Sequence, residues 1–510
     1  MPTDDVAIKV LRRHPFPESM PEPVVLAVDE GTTGVTVLVL DGRRKVVGRA
    51  YREIAQSYPR SGWVEQDAER IWDATRLTMV AALRAAKVPA TRVAAIGIAN
   101  QRETTVLWDR KTGRPVAPAI VWQDRRTAAR CAELKPEWEA TVRQRTGLVI
   151  DPYFCATKLE WLLRDKRLRE RAAAGRLAFG TIDSWLAFKL TGKHVTDPTN
   201  ASRTLLWDIH LGAWDAELLG LFGVPHAVLP EVVPSSHVLG NTDLLGAPVP
   251  VAALVGDQQA ALAGQLCLKA GDAKTTYGTG AFLLQHTGGK AVASRHGLLT
   301  TRAASPDGRP QFALEGSVFT AGAAIQWLRD QLGLITKASD VDGLAARVPD
   351  SGGVHVVPAF TGLGAPHWDP EARGAILGIT RGTDKRHLAR AVLESIAFQS
   401  TEVVQAMEKD SGLRIPSLRV DGGAARSAIL LQMQADLLQR PVVRPKELDT
   451  TAMGAGLLAG RAVDLWRLRD LTAGAHVQAE FTPAIGKAEA DRRMTGWRAA
   501  VAATRSYRVP

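Results

Sequence analysis

The chain of 510 residues is poor in cysteine. It contains only Cys131, Cys155 and Cys267, and no two of them form a C-x-x-C pair. A small, odd set of this kind is typical of reduced, mostly buried thiols, and it argues against a disulfide framework or a zinc site. Histidines do not cluster at the spacing of metal ligands either, so the sequence predicts no structural metal of that type.

Long apolar runs are also lacking. No segment approaches the ~20 consecutive apolar residues that a membrane-spanning helix needs, and residues 1–23 have no apolar stretch of the kind found in secretory signals. We therefore expect a cytoplasmic protein without a membrane span. We expect residues 1–23, which are polar and rich in proline, to be a disordered leader, with Met20 as an alternative start.

Acidic residues are fewer than basic ones, and the net charge is +11. A basic protein could bind nucleic acid, but here the arginines alternate with acidic residues in helix-like segments such as "RDKRLRERAAAGR". No aromatic side chains that could stack on bases are interleaved with them. We expect solvated helix faces and no nucleic-acid partner; the charge favours an anionic small substrate or a nucleotide instead.

The familiar nucleotide-binding motifs are missing: there is no G-x-x-x-x-G-K-[ST], no H-R-D catalytic loop and no G-x-G-x-x-G opening a helix. Four glycine-rich turns could hold phosphate through backbone N–H groups instead, namely 31–34, 277–281, 320–323 and 421–424. One such turn alone is more often a plain turn. The first, in "VDEGTTGVT", could also be a tight hairpin between two strands.

Apolar β-branched runs alternate with segments of helical period, which predicts an α/β protein. The segments "VVLAVDEGTTG" and "SLRVDGGAARS" share one plan, an apolar strand that ends in Asp and leads into a glycine-rich turn. Two such units far apart in the chain indicate two related lobes with a cleft between them. At this length, roughly two to four domains are expected, and we place the lobe boundary near residues 265–273.

Polar residues follow two of the predicted strands. Gln101, Arg102 and Glu103 come directly after "VAAIGIAN", at the carboxyl end where α/β sheets collect ligands. Arg beside Glu suits the neighbouring hydroxyls of a polyol, although a surface ion pair is the plainer alternative. Asp257 and Gln258 follow "VAALVG"; Asp257 is either the cap of the next helix or a general base for phosphoryl transfer.

These segments together resemble the FGGY carbohydrate kinases, and among them the members that act on glycerol. The similarity runs from about Val24 to about Trp497 and includes "GWVEQDAERIW", "IGIANQRETT", "AIVWQDRRTA", "GDQQAALAGQL", "TYGTGAFLL" and "RVDGGAA". It implies two actin-like (ribonuclease-H-like) domains, 24–266 and 267–498, that close over a central cleft, with a tail at 499–510. It also implies a homodimer or homotetramer.

The resemblance further implies ATP-dependent phosphorylation of glycerol to sn-glycerol 3-phosphate, with Asp257 as general base and Mg²⁺ at Asp29. Glycerol would contact Arg102, Glu103, Tyr153, Asp257 and Gln258 between the apolar walls Trp122 and Phe282. The nucleotide would lie against Thr32, Thr33, Gly34, Thr279, Gly322, Gln326, Gly423 and Ser427. The alternatives are a kinase for another small polyol or ketose and, less favoured, a non-catalytic actin-like ATP-binding protein. For a lone aromatic such as Trp122, core packing is the plainer role.

The chain departs from the family at the first turn. Glu30 and Thr36 stand where glutamine and arginine are usual, and Ser427 stands where asparagine is usual. We expect the first two changes to make a turn that faces a polyanion more negative by two charge units. The resulting hypothesis is weaker nucleotide binding with a sharper dependence on free Mg²⁺.

Overall fold

A computed structural model describes residues 22–467 and 477–507. The expected leader, apart from its last two residues, and Met20 lie outside this range. Two β-sheets surrounded by helices make up the described part, in agreement with the predicted α/β class. None of the helices in these residues combines the length and the apolar character needed to cross a bilayer.

The first lobe contains the elements up to residue 264. In chain order they are β1 (Val24–Gly31), β2 (Gly34–Leu40), β3 (Val46–Glu53), β4 (Glu65–Gln66), α1 (Ala68–Ala86), β5 (Val93–Asn100), β6 (Val106–Asp109), β7 (Ala119–Ile120), α2 (Ala128–Thr146), α3 (Cys155–Leu162), α4 (Lys166–Ala173), β8 (Leu177–Gly180), α5 (Ile182–Thr191), β9 (Val195–Thr196), α6 (Pro198–Ala201), β10 (Trp207–Asp208), β11 (Ala213–Trp214), α7 (Ala216–Leu221), β12 (Glu231–Val232), β13 (Ser236–Thr242), β14 (Val249–Gly256) and α8 (Asp257–Gly264).

The sheet of the first lobe has the order β13-β14-β5-β1-β2-β3. Its middle strands β1, β5 and β14 run parallel and are almost wholly apolar, because helices cover both faces. On one face, α1 packs against the sheet through Ile71, Met79 and Leu83. The side chain of Asp67 caps this helix by accepting a hydrogen bond from the N–H of Glu69, as the sequence predicts.

The second lobe contains the remaining elements. They are β15 (Ala273–Tyr277), β16 (Ala281–Gly288), β17 (Leu299–Arg302), β18 (Phe312–Val318), α9 (Gly322–Asp330), α10 (Asp340–Ala345), β19 (His355–Val357), β20 (Ala375–Leu377), α11 (Lys385–Ser411), β21 (Leu418–Asp421), α12 (Ala428–Leu438), β22 (Val442–Pro445), α13 (Thr450–Ala462), β23 (Val477–Phe481) and α14 (Lys487–Ser506). Residues 499–506, expected as part of a tail, belong to α14, and Ala500 and Val501 are buried in the core of this lobe.

The sheet of the second lobe has the order β17-β18-β16-β15-β21-β22-β23. Six of its strands, β18-β16-β15-β21-β22-β23, repeat the order and directions of β3-β2-β1-β5-β14-β13 in the first lobe. Two related lobes are therefore present, but the detail of the sequence comparison was wrong. The counterpart of the β1–β2 hairpin is β15–β16, whereas "SLRVDGG" forms β21, the counterpart of β5.

The two lobes are joined where α13 crosses α8 and packs on the first sheet. The backbones approach so closely that a Cβ atom on Gly454 would lie 1.9 Å from the carbonyl oxygen of Ala260. A Cβ on Gly264 would lie 2.0 Å from the carbonyl oxygen of Thr450. Only glycine fits at these two points.

Candidate active site

The segment "VDEGTTGVT" forms a tight hairpin. The antiparallel register of β1 and β2 runs as far as Gly31 opposite Gly34, so Thr32 and Thr33 are its two turn residues. The hydroxyl of Thr32 accepts a hydrogen bond from the indole N–H of Trp122 at 2.8 Å, while Thr33 is exposed. The hairpin interpretation is therefore correct for the local structure, and it remains compatible with a phosphate-binding turn.

Asp29 lies at the end of β1, on the face that continues from Ala27 towards α13. Among the described residues, no hydrogen bond or ion pair reaches its carboxylate. Burial, reinforced by the charges of Asp257, Asp449 and Asp421, raises the pKa of Asp29 to about 8. Four carboxyl groups from both lobes therefore act on one small region, and a cation there would relieve their mutual repulsion.

These carboxyl groups do not form a ready metal cage. In residues 22–467 and 477–507, no three His, Cys, Asp or Glu side chains are arranged to hold a metal ion by themselves. Mg²⁺ is usually bound by one or two carboxylates together with water and substrate phosphates. The unpartnered carboxylate of Asp29 fits this kind of site.

Glu30 has surroundings opposite to those of Asp29. Its side chain is fully buried and accepts a hydrogen bond from the amide of Gln101 at 3.1 Å, while Oε2 has no partner among the residues that the structure describes. Burial raises the pKa of Glu30 well above its usual value. Burial therefore favours the neutral form of Glu30, which resembles in shape and charge the glutamine usual in the family.

Arg102 and Glu103 are buried at the end of β5, so they are not a surface ion pair. Glu103 has a left-handed backbone conformation with φ of 61°, which costs free energy for a residue other than glycine. The guanidinium of Arg102 forms an ion pair with Asp257, Nε to Oδ1 3.1 Å, and donates to both oxygens of Glu315 at 2.6 and 3.0 Å. Arg102 thus connects the end of β5 with the start of α8 and with β18.

Two charged residues of this network were missed by the sequence analysis. Arg203, fully buried, donates to Glu103 through Nε at 2.5 Å and to Glu315 at 3.1 Å. Burial raises the pKa of Glu315, but Arg102 and Arg203 outweigh it and lower that pKa to about 2. Glu315 is a charged residue within the apolar strand "FALEGSV", and such a residue is the signal that could have revealed it.

Asp257 is the first residue of α8 and not its cap, since the cap position belongs to Gly256. Its carboxylate accepts hydrogen bonds from the backbone N–H of Gln258 at 2.7 Å and, through Oδ2, from the side-chain amide of Gln258 at 3.3 Å. Its side chain is 29% exposed, whereas those of Arg102 and Glu315 are almost fully buried. Asp257 is thus the member of the network that a substrate can reach.

Aromatic side chains close one side of this network. The rings of Trp122 and Tyr153 meet edge to face with centroids 5.5 Å apart, and the guanidinium of Arg203 lies 5.7 Å from the Tyr153 ring. Lys158, also missed from the sequence, donates to the carbonyl oxygens of Glu103 at 3.1 Å and Tyr153 at 2.9 Å. Trp122 therefore connects the hairpin turn to the aromatic wall. Lys158 holds the backbones of Glu103 and Tyr153, both predicted to contact glycerol, through their carbonyl oxygens.

The glycine-rich turns of the second lobe pack on one another. The backbone N–H of Ala321 donates to the carbonyl oxygen of Thr279 at 2.9 Å. A Cβ atom on Gly322 would lie 2.5 Å from the carbonyl oxygen of Gly278, and one on Gly422 would lie 2.4 Å from that of Tyr277. These contacts gather three of the four predicted phosphate turns at one edge of the second sheet.

The other predicted nucleotide residues differ in accessibility. Gln326 and Gly423 are exposed beside these turns. Ser427 is buried, caps α12 by accepting from the N–H of Leu430 at 3.1 Å, and donates to Asp342 at 2.7 Å. Its hydroxyl is thus already engaged within the protein.

Family models account for most of the chain. The N-terminal domain model of the FGGY family of carbohydrate kinases matches residues 24–264, and the C-terminal domain model matches residues 273–463. The chain belongs to this family. The predicted resemblance is thereby confirmed. This FGGY kinase is 54% identical over 488 residues to a protein named Glycerol kinase from Ralstonia nicotianae. The aligned region covers 94% of this chain and 98% of that protein.

Solved structures agree with the fold. The crystal structure of Plasmodium falciparum glycerol kinase with ADP is 33% identical to this FGGY kinase, with a TM-score of 0.89 over 95% of this chain and 98% of that one. A xylulose kinase from Rhodospirillum rubrum is 26% identical, with a TM-score of 0.83 over 94% and 98%. These likenesses confirm the predicted fold of two actin-like domains around a cleft.

Proposed function

We propose that this FGGY kinase transfers the γ-phosphoryl group of ATP to glycerol and forms sn-glycerol 3-phosphate. The observation that carries the proposal is the placement of Arg102, Asp257 and Gln258 in one contact network, with Asp257 as its accessible member. Arg and amide donors beside a carboxylate suit adjacent hydroxyls of a small polyol. The extensive identity with proteins named Glycerol kinase supports the same substrate.

Asp257 is the proposed general base. Its carboxylate takes the proton of the terminal hydroxyl as that oxygen forms a bond to the γ-phosphorus and the bond from phosphorus to the ADP oxygen breaks. The ion pair with Arg102 at 3.1 Å holds this carboxylate beside the proposed acceptor pocket. Glu103 and Tyr153 complete the proposed acceptor pocket, and Trp122 and Phe282 are its apolar walls.

The proposed binding site for ATP and Mg²⁺ is formed by the β1–β2 hairpin and the glycine-rich turns of the second lobe. Thr32, Thr33 and Gly34 are proposed to contact the transferring phosphoryl group, and Asp29 is proposed to hold Mg²⁺. When bound, Mg²⁺ neutralises charge that develops on the phosphate oxygens. The remaining proposed nucleotide contacts are Thr279, Gly322, Gln326, Gly423 and, with its hydroxyl already engaged, Ser427.

We also propose a domain boundary at 266/267, a homodimer or homotetramer, and a cytoplasmic location.

The test is an assay of ADP formation from ATP and Mg²⁺ with glycerol, dihydroxyacetone, erythritol, xylulose or ribulose as acceptor. We expect the highest kcat/KM with glycerol. Preference for a ketopentose would favour the alternative substrate class, and no turnover with any acceptor would favour the non-catalytic alternative.

An Asp257→Asn variant in the same assay tests the assignment of the base. Loss of a general base lowers kcat by about 10²–10⁴-fold, and we expect this loss with little change in thermal unfolding. The matched control is Asp243→Asn, because Asp243 is exposed on the loop after β13. Full activity of Asp257→Asn would refute the role of this residue.

A further inference from the structure

Lys274 is a buried lysine at the interface of the two lobes that no part of the proposed mechanism yet uses. It lies in β15 of the second lobe, and its side chain is completely inaccessible to solvent. Its ammonium donates to the amide oxygen of Gln258 in the first lobe, to the hydroxyl of Thr276 at 2.8 Å and to the carbonyl oxygen of Phe282 at 3.4 Å. All three hydrogens of the ammonium thus have an acceptor.

The contact with Gln258 decides the orientation of its amide. An ammonium can only donate, so it must face the oxygen of the amide and not the nitrogen. The nitrogen is thereby turned to Asp257, where it donates to Oδ2 at 3.3 Å. One amide hydrogen is then used, and the second remains for an oxygen atom of a substrate.

The charges around Lys274 favour its cationic form. Burial lowers the pKa of Lys274 to about 8, against the raising effects of Asp421, Asp257 and Glu315. A buried cation is costly unless it is paired or well hydrogen-bonded. Lys274 contacts two predicted glycerol-site residues, Gln258 and Phe282, which indicates a role beyond packing.

We propose that Lys274 is a positioning residue for the acceptor substrate. It fixes the Gln258 amide so that its nitrogen faces Asp257 and a substrate hydroxyl, and it holds the backbone of Phe282 in the same site. Acceptor recognition then requires the arrangement of the two lobes in which Lys274 of the second lobe reaches Gln258 of the first. This inference rests on the proposed function and names a residue that controls its acceptor site.

The first test is Lys274→Met, which keeps the length of the side chain and removes the ammonium. A hydrogen bond that involves a charged group contributes about 1.5–3 kcal/mol, or roughly 10–100-fold in binding. We expect the KM for glycerol to rise by about that factor while the KM for ATP changes less than about twofold. A merely structural role would affect both substrates and the melting temperature together.

A double-mutant cycle shows whether Lys274 acts through Gln258. In a Gln258→Ala background the amide is absent, so Lys274→Met should add little to the loss already present. Independent, multiplying effects of the two substitutions would overturn the proposal.

Thr276→Val supplies a second variant in case Lys274→Met does not fold. It removes one acceptor of the ammonium while keeping the β-branched shape, and we expect a smaller rise in the KM for glycerol. The matched control is Thr275→Val on the same strand, because the buried hydroxyl of Thr275 has no hydrogen-bond partner within the described residues. Thr275→Val should leave both KM values unchanged.

The outcomes separate this proposal from the proposed function. If the unaltered enzyme phosphorylates glycerol but Lys274→Met and Thr276→Val behave like Thr275→Val, the role of Lys274 is refuted and the function stands. If the unaltered enzyme does not phosphorylate glycerol, the function is refuted, and the positioning role with it.

Discussion

Two adjacent carboxyl residues at the end of β1 have opposite surroundings because neighbouring residues of a strand face opposite sides of the sheet. Asp29 continues the face of Ala27 towards α13 and the other lobe. Glu30 continues the face of Val28 into the core beneath α1. The same alternation makes one residue a candidate ligand for a cation and buries the other, whose pKa is raised by that burial.

Thr36 lies directly opposite Asp29 on β2, so the two side chains share one face of the sheet. An arginine there would place a cation beside Asp29 and favour its ionised form. We predict that Thr36→Arg lowers the KM for ATP about three- to tenfold and makes activity less dependent on free Mg²⁺. Mg²⁺ titrations of kcat/KM for the wild type and the variant measure this.

Two controls accompany that titration. Thr36→Gln adds length without charge and should behave like the wild type. Glu30→Gln should also have little effect, because burial raises the pKa of Glu30 and favours its neutral form. Superimposable Mg²⁺ curves for Thr36→Arg and Thr36→Gln would contradict the electrostatic account.

The sequence is informative about residues that follow a strand directly. Arg102, Glu103 and Asp257 could be predicted as a group because each comes just after an apolar run. Arg203 and Glu315 could not be predicted, since they are 100 and 212 residues from Glu103 along the chain. Arg203 contacts Glu103 and Glu315 only in the folded chain. The burial of Glu30 was equally hidden, because its sequence context does not show which face of β1 points to the cleft.

At the scale of elements, the crossing of α8 and α13 depends on glycine at the point of contact. Gly454→Ala would place a methyl group 1.9 Å from the carbonyl oxygen of Ala260, so the helices must move apart. Overpacking of this kind costs about 1–3 kcal/mol. We predict a loss of that size in the free energy of unfolding, measured by urea denaturation, together with reduced kcat because the start of α8 carries Asp257.

Gly343→Ala is the matched control for Gly454→Ala. Gly343 is also helical, in α10, but a Cβ atom there meets nothing within 4 Å. Alanine is a better helix former than glycine by about 1 kcal/mol, so this variant should be as stable as the wild type or more so. Equal stability of Gly454→Ala and Gly343→Ala would refute the close crossing.

The sequence predicts individual strands better than it predicts which strand of one lobe corresponds to which strand of the other. The apolar runs that were predicted as strands include β1, β5, β14 and β21, since buried parallel strands are continuous in apolar residues. The matching of β1 with β21 failed because both end in Asp and a glycine-rich turn. Which strands are equivalent depends on their order in the sheet, and strand order is set by long-range pairing.

At the scale of the whole molecule, buried ion pairs hold the lobes together at the base of the cleft. Glu315 comes from the second sheet, while Arg102 and Arg203 come from the first lobe. Removing one partner of a buried ion pair costs about 3–5 kcal/mol, because the other charge is left without compensation. We predict a loss of that size in the free energy of unfolding of Glu315→Gln at pH 7.

The pH dependence of this loss follows from the lowered pKa of Glu315. Its usual value is 4.5 and its value in the folded chain is about 2. The stability it contributes is therefore fully present above about pH 4.5 and disappears as the pH falls towards 2. Urea unfolding at pH 7, 5, 4 and 3.5 should show the difference between wild type and Glu315→Gln narrowing at the lowest values.

Glu489→Gln is the control for the buried pair. Glu489 forms ion pairs with Arg492 and Arg493 on the surface of α14, and exposed pairs of this kind contribute about 0–1 kcal/mol. A stability loss in Glu315→Gln no greater than in Glu489→Gln would contradict the role of the buried network.

The central claim is the transfer of a phosphoryl group from ATP to glycerol. Phosphorus NMR of the purified enzyme with ATP, Mg²⁺ and glycerol tests it most directly, since it identifies the product as well as its rate of formation. We expect a phosphate ester on a terminal carbon of glycerol in equal amount to ADP, formed about 10²–10⁴-fold more slowly by Asp257→Asn. Formation of inorganic phosphate alone, or no phosphate ester of glycerol, would contradict it.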